Sequence, residues 1–273
     1  MSARSRIHTT LGAMPPVTLD EVTADAALLT RIDRKYVVPL DEAADLLADL
    51  ASQPCAPRVL EIDGRREMAY RSVYFDTPDL LSFRLAAHGR RRRFKLRTRS
   101  YMDTGSTYLE LKTRGARGLT QKDRDDYGAQ TPDELSADAR GEVALALDAI
   151  GIDAARADDL DARLQTLYHR SSLVWSASPD AGASRATVDL DLEWVDASGA
   201  GFLVPRFAII ETKSPGSAGT LDRALWRAGH RPQRVSKYAT GMAVLRGDLP
   251  RNRWTRVLEG PFSSAVPTSH PSS

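Results

Sequence analysis

Phe94-Lys95-Leu96-Arg97-Thr98-Arg99-Ser100-Tyr101, Thr107-Tyr108-Leu109-Glu110-Leu111-Lys112-Thr113 and Leu119-Thr120-Gln121-Lys122-Asp123-Arg124-Asp125-Asp126-Tyr127 follow one another with only short turns between them. Residues two apart in a strand share a face. Arg97 and Arg99 therefore point one way and Leu96 the other, while Glu110 and Lys112 share a face opposite Leu109 and Leu111. Gly-containing turns at Asp103-Thr104-Gly105 and Arg114-Gly115-Ala116-Arg117-Gly118 join the three segments into a meander. The pattern returns downstream, where Arg185-x-Thr187-x-Asp189-x-Asp191-x-Glu193 alternates with Ala186, Val188, Leu190, Leu192 and Trp194, and again in Ile210-Glu211-Thr212-Lys213. Several strands thus carry one apolar and one densely charged face, with Arg and Lys in excess.

The chain of 273 residues is long enough for one large or two ordinary domains. Its single cysteine, Cys55, cannot form an internal disulfide, and no Cys/His cluster points to structural zinc. No segment approaches the roughly 18 to 20 apolar residues of a membrane helix, so a soluble, cytoplasmic protein is the expectation. A formal net charge of +2 argues against a surface that coats polyanions generally, so any anion site must come from local arrangement. The one dense basic run is Arg90-Arg91-Arg92-Arg93.

Elsewhere helical patches interrupt strands. Thr18 with Glu21 reads as a capping box opening a helix through Leu29, followed by a strand from Arg31 to Val38. Asp41 to Ala51 reads as a helix, Met68 to Phe75 as a strand ending at Asp76-Thr77-Pro78-Asp79, and Leu80 to Leu85 as a short helix. After the meander come helices over Pro132 to Ile150 and Asp158 to Gln165, strands over Leu167 to Ala177, Ala186 to Val195 and Leu203 to Lys213, and helices over Ser217 to Ala228 and Ser236 to Arg246. Residues 1–17 read as a tail, 18–250 as one domain, and 251–273 as a flexible tail, Ser/Pro-rich from Gly260.

About eight sequentially adjacent strands favour an α+β fold built on a closed antiparallel β-barrel, since closure removes edges. The helices need apolar partners. If the apolar strand faces point outward to supply them, the charged faces turn inward and peripheral helices cover the barrel. Alternation alone also permits the conventional barrel or sandwich, apolar inside and charged outside.

The charged positions resemble the VTC domain, the polyphosphate polymerase module of the triphosphate tunnel metalloenzyme (CYTH-like) superfamily. Arg31-Ile32-Asp33-Arg34-Lys35-Tyr36-Val37-Val38 resembles the family's opening strand, and Ser72-Val73-Tyr74-Phe75-Asp76-Thr77 its S-x-Y-F-D segment. The paired-arginine strand, the E-x-K strand and the next basic strand are matched by Leu96 to Tyr101, Leu109 to Lys112 and Gln121 to Arg124. Tyr168-His169-Arg170, Arg185 to Asp189, Ile210 to Lys213 and Arg234-Val235-Ser236-Lys237-Tyr238 follow in the family's order. The resemblance runs from about Thr30 to Leu245, and this many pieces in register are specific. It departs from hydrolytic relatives in the first strand, where E-x-E-x-K stands as Arg31-x-Asp33-x-Lys35.

The resemblance implies a tunnel that accepts a triphosphate or polyphosphate chain, replacing lost hydration with fixed cations. It implies a phosphate-binding set of Lys35, Arg97, Arg99, Lys112, Lys122, Arg170, Arg185, Arg234 and Lys237, with Lys237 and Arg97 stabilising the γ-phosphate of ATP. A divalent Mn²⁺ or Mg²⁺ would be held first by Glu211 and second by Glu110. Asp189, Asp191 and Glu193 also line one face, as metal ligands or as partners of neighbouring arginines. The implied activity is ATP-dependent synthesis of inorganic polyphosphate. A tripolyphosphate or nucleoside-triphosphate hydrolase and a non-catalytic polyanion-binding module are the alternatives. Lacking a membrane segment of its own, the chain would release its product or pass it to a separate membrane partner.

Other features read as structural. His169 and His230 are isolated and without triad spacing, Cys55 follows a turn, and the four tryptophans lack the basic interleaving of nucleic-acid binders. Arg90 to Arg93 is either the mouth of the tunnel or a solvated turn. Gly115 to Gly118 has no strand-GxxxxGK[ST]-helix context and is not a P-loop.

Overall fold

A computed structural model describes residues 1–24, 32–115, 118–128, 131–177 and 182–270. In chain order the elements are α1 (Ala3–Ala13), β1 (Pro16–Val17), α2 (Leu19–Ala24), β2 (Ile32–Pro39), α3 (Leu40–Ala51), β3 (Arg58–Leu60), β4 (Met68–Asp76) and α4 (Leu81–Ala87). The meander follows as β5 (Arg93–Tyr101), β6 (Thr107–Arg114) and β7 (Thr120–Asp126). Then come α5 (Ala137–Ala149), β8 (Asp161–Trp175), β9 (Ser184–Asp196), β10 (Ala200–Leu203), β11 (Phe207–Ser214), α6 (Thr220–Arg227), α7 (Lys237–Leu245), α8 (Thr255–Leu258) and β12 (Val266–Ser269). This is an α+β fold with a large, almost wholly antiparallel sheet. Among the described residues no ladder closes it: β2 pairs only with β11, and β7 only with β6.

Two compact units make up the chain, one of Met1–Met68, Tyr168–Leu192 and Val204–Val235, the other of Ala69–Leu167, Glu193–Leu203 and Ser236–Ser273. In the first, β2, β11 and β9 lie side by side. Their apolar residues Tyr36, Val38, Ala208, Ile210, Ala186 and Val188 share a core with Ile7 and Leu11 of α1, Ala44 and Leu47 of α3, and Leu221 and Leu225 of α6. The reason is local: α3 buries Ala43, Ala44, Leu47 and Leu50 at helical spacing, with Asp41 and Glu42 in its first turn where the helix dipole favours acids.

In the second unit β4, β5, β6 and β7 run antiparallel in sequence order. Phe94, Leu96, Leu109 and Leu111 pack against Ala139, Val143 and Leu147 of α5, whose N-terminus is capped by Ser136 Oγ accepting from the Ala139 amide at 3.2 Å. Each such side chain, fully buried, stabilises the fold by about 1.5–3 kcal/mol. In both units helices cover the apolar strand faces, leaving the charged faces on the other side.

The meander, the Thr18–Glu21 capping box and the helices at α3, α4, α6 and α7 match expectation. Thr18 N donates to Glu21 Oε2 at 2.9 Å and Glu21 N to Thr18 Oγ1 at 3.3 Å; the rest of that expected helix, and Arg31, lie outside the described residues. Other readings need correction. Asp158 to Gln165 is not a helix, because Asp161 opens a 15-residue strand in which Leu164, Thr166 and Tyr168 are buried at a period of two. Leu203 to Lys213 is divided between β10 and β11. Residues 1–17 contain α1, held by buried Ile7, Leu11 and Met14, and the Ser/Pro-rich end supplies β12, which pairs with β10. Among the described residues the strands number twelve rather than about eight.

Candidate functional site

In the first unit the register sets Glu211 between Lys35 on β2 and Thr187 on β9, and Lys213 between Asp33 and Arg185. Lys35 Nζ pairs with Glu211 Oε2, and Lys213 Nζ lies 3.7 Å from Oε1. Burial alone would raise the Glu211 carboxyl, but Lys35, Lys213 and Arg170 outweigh it and hold the group well below the usual range. Burial lowers the Lys213 amine, and Arg170 and Lys35 add to that against the pull of Glu211. Arg170 of β8 grips buried Asp189 with Nε to Oδ1 at 2.6 Å and Nη2 to Oδ2 at 2.8 Å. Arg185 donates to the Val22 carbonyl. Arg234 is exposed on the segment before α7, which Gln233 N ties to the Lys35 carbonyl at 2.7 Å.

Asp222 supports this face from behind. Fully buried, it accepts from Tyr36 Oη at 2.7 Å, Gly219 N at 2.9 Å and Arg34 Nη1 at 3.2 Å, and also from Thr212 Oγ1. Strands β2 and β11 and the start of α6 are thereby fastened together, which fixes the neighbours of Lys35 and Glu211.

In the second unit Glu110 is the anion at the centre of a cluster of cations. Its carboxylate, 4 % exposed, accepts from Arg97 Nε at 2.8 Å, with Lys122 Nζ at 3.5 Å and Arg99 Nη1 at 3.6 Å. Burial would raise the carboxyl; Arg97, Arg99 and Lys122 reverse this and depress it strongly. Around the ion cluster the register sets like charges opposite one another, Arg93 to Arg114 and Lys95 to Lys112 to Lys122, in rows across β5, β6 and β7. Directly opposed like charges destabilise a sheet. Ser72 Oγ and Arg99 Nε, on residues paired across β4 and β5, are buried and have no hydrogen-bond partner among the described residues. Arg97 Nη1 donates to Tyr74 Oη at 3.2 Å. Burial would raise the Tyr74 phenol, but Arg97, Lys237 and Arg99 pull it down.

Lys237 opens α7, whose N-cap Ser236 Oγ accepts from Ala239 N at 3.4 Å. Trp194 Nε1 donates to the Lys237 carbonyl at 2.7 Å, and the indole lies so close to Gly241 that a Cβ there would stand 2.3 Å from Trp194 Cδ1. A glycine is needed for this approach.

The sequence-read residues therefore fall into two groups, Lys35, Arg170, Arg185, Glu211 and Arg234 in one unit, and Arg97, Arg99, Glu110, Lys112, Lys122 and Lys237 in the other. Sequence reading missed Lys95, Lys213, Tyr74 and Asp222. Lys95 was legible, since it extends the Arg97-x-Arg99 alternation by one step. The aspartate row on β9 does not act as one face: Asp189 binds Arg170, Asp191 binds His169 and Arg4, and Glu193 lies 2.6 Å from His270 Nε2. Asp191 sits at φ 52°, a left-handed position that breaks the strand's alternation. His169, read as isolated, is grouped with Asp191 and Glu67. The four tryptophans are packing residues as expected, for example Trp194 stacked on Phe202 at 4.7 Å between centroids.

A sequence model of the VTC domain matches residues 30–246, and the chain belongs to that family. Membership supports polyphosphate-related phosphoryl chemistry. Among solved structures, a Hippeastrum protein described as an adenylyl cyclase, HpAC1, with a dominant triphosphatase activity is 18 % identical, with 82 % of this chain and 100 % of that one covered and a TM-score of 0.45. The PH1012 protein of Pyrococcus horikoshii is 13 % identical over 77 % of this chain and 99 % of that one, with a TM-score of 0.39. A conserved protein of Pyrococcus furiosus is 12 % identical over 77 % of this chain and 99 % of that one, with a TM-score of 0.37. No curated protein matches the chain in sequence. No helix among the described residues is long and apolar enough to cross a membrane.

Proposed function

We propose that this chain is an ATP-dependent polyphosphate polymerase. An oxygen of the terminal phosphate of a growing chain attacks the γ-phosphorus of ATP in line, the bond from that phosphorus to the β-bridging oxygen breaks, and ADP leaves. The observation that carries this reading is the row Lys95, Lys112 and Lys122, with Arg93 opposite Arg114 beside it. Cations so opposed are compensated by a ligand that is itself a line of negative charges. Ser72 Oγ and Arg99 Nε offer such a ligand buried donors.

Lys35, Arg97, Arg99, Lys112, Lys122, Arg170, Arg185, Arg234 and Lys237 serve in this proposal as the phosphate-binding set, with Arg97 and Lys237 on the γ-phosphate. Arginine forks hold two oxygens each, and lysines follow the chain as point charges. Glu211 fits a hard divalent ion, being ionised and bordered by flexible lysine amines that can turn to phosphate oxygens. Glu110, enclosed by three cations, fits as their counter-ion more than as a ligand. Glu211 would hold Mn²⁺ or Mg²⁺, and the ion would supply positive charge against the phosphate oxygens. Closure of the strands into a tunnel belongs to the same proposal, as does a soluble, cytoplasmic enzyme that releases its product or delivers it to a separate membrane partner.

Purified protein given ATP with Mn²⁺ or Mg²⁺ should form long acid-labile phosphate chains and ADP, resolved by gel electrophoresis. Orthophosphate without chains would favour a hydrolase, and tight polyphosphate binding without turnover a binding module. Glu211→Gln should cut metal-dependent turnover by orders of magnitude while the fold survives, and an unchanged metal titration would remove Glu211 from the site. If a closed tunnel forms, bound polyphosphate should shield Lys35 and Lys112 together from amine-labelling reagents.

A further inference from the structure

Behind the charged face of the first unit lies a second group of ligating side chains. His169 and Arg170 are consecutive on β8, so they point to opposite faces, and His169 belongs to the face away from Asp189. Its Nδ1 lies 3.1 Å from Asp191 Oδ2. Glu67, immediately before β4, completes the group: one ligand atom from each of Glu67, His169 and Asp191 lies within 4.8 Å of the others. That spacing is slightly wider than a coordination sphere with bonds of about 2.0–2.2 Å, and small side-chain rotations close it.

A cationic atom already marks the centre. Arg4 Nη2, from the first turn of α1, lies 2.9 Å from Asp191 Oδ2 and also donates to Glu67 Oε1. A single positive nitrogen is thus shared by both carboxylates, and the Arg4 side chain is 28 % exposed, with a route out to solvent. The other oxygen, Glu67 Oε2, is buried and has no hydrogen-bond partner among the described residues. Ser171, two residues from His169 and so on the same face of β8, is 1 % exposed, and its Oγ likewise has no partner. Glu67 and Ser171 also border one cavity of about 560 Å³, which lies beside the group rather than within it. A carboxylate oxygen without a donor, on a residue grouped with an imidazole and a second carboxylate, leaves a donor set that a cation of higher charge than Arg4 would complete.

We propose that Glu67, His169 and Asp191 form a binding site for a first-row divalent transition ion, which displaces the Arg4 side chain. Imidazole with two carboxylates suits Zn²⁺, Co²⁺ or Mn²⁺ better than Mg²⁺, which prefers oxygen alone. The ion ties the segment before β4 to β8 and β9, and it takes over the cross-link that Arg4 makes from α1. This site is independent of the phosphate chemistry proposed above.

The test uses full-length protein carrying Glu211→Gln, so that the phosphate-side carboxylate does not contribute, titrated calorimetrically with ZnCl₂ in phosphate-free buffer. One Zn²⁺ per chain is expected. His169→Ala or Asp191→Asn should weaken binding tenfold or more, and Arg4→Ala should strengthen it by a similar factor, because the competing cation is gone. In unaltered protein, substoichiometric Co²⁺ should broaden the His169 imidazole NMR signals before those of His230, a readout that needs no variant. Absence of Zn²⁺ binding in both the parent and Arg4→Ala proteins, binding indifferent to His169→Ala, or Co²⁺ that leaves His169 sharp would each overturn the assignment.

Discussion

Tyr238 donates its phenolic proton to Asp76 Oδ2 across 2.5 Å, and both residues are buried. Asp76 also receives the amides of Thr77 and Ser82 at 2.8 Å and of Phe83 at 2.9 Å, so one carboxylate organises the start of α4 and anchors α7. The Tyr238 ring stacks on Tyr74 at 5.3 Å, and Tyr74 in turn accepts from Arg97. The arginine proposed to meet the γ-phosphate is therefore positioned through Tyr74 and Tyr238 by an aspartate that never faces it.

Tyr238→Phe should keep the stacking and lose the proton donor, lowering unfolding free energy by about 1–3 kcal/mol at neutral pH. Burial raises the Asp76 carboxyl above its ordinary value, against the pull of the Tyr238 bond and three backbone bonds. A raised carboxyl contributes most stability below its unfolded value and loses it as pH rises through the folded one. Removing Tyr238 raises it further. The deficit measured by urea denaturation should therefore shrink as pH falls through the raised folded value, because protonated Asp76 needs the donor less.

Glu110→Gln should destabilise the protein without ligand by about 3–5 kcal/mol, since Arg97, Arg99 and Lys122 lose a shared counter-charge. The pH sign is opposite to that of Asp76. Glu110 is depressed in the folded state, so its stabilisation is complete above the ordinary value of 4.5 and is lost as pH falls towards the folded one. Wild-type stability should drop through that acid range and the variant's curve should be flatter. The same cluster alters the outcome of Arg97→Ala with Arg99→Ala. With Glu110 buried between Arg97 and Arg99, the double change strands a carboxylate and destabilises the empty protein.

Lys112→Ala tests the lysine row at its middle member. Lys112 is exposed and stands opposite both Lys95 and Lys122. Its removal should stabilise the empty protein by about 0.2–1 kcal/mol and reduce the rise in melting temperature that tripolyphosphate produces. Equal rises in variant and parent would separate the row from the ligand.

Alternation made the strand faces legible, because a period of two is a local property that apolar and charged residues record directly. The capping box at Thr18 and Glu21 was local too. Register was not: that Lys95 meets Lys112 and Lys122 depends on turns whose length the residues constrain only loosely. Asp222 was invisible because Tyr36 is 186 residues away. The first half of β8 was misread for a related reason. Asp158 to Gln165 is short and charged, and only its continuation into Tyr168 and Leu173 shows that the period is two. Glu110 was recognised as a site residue, while its enclosure by three cations required the neighbouring strands to be in place.

The lysine row gives the folded chain a property that outlasts any single turnover. If a polyanion binds this row as proposed, opposed ammonium groups leave the vacant protein closer to its unfolded ensemble than the occupied one, and unfolded molecules are the ones that proteases remove. Abundance would then follow the supply of polyanion: scarcity shortens the lifetime of the chain and plenty extends it, with no dedicated sensor required.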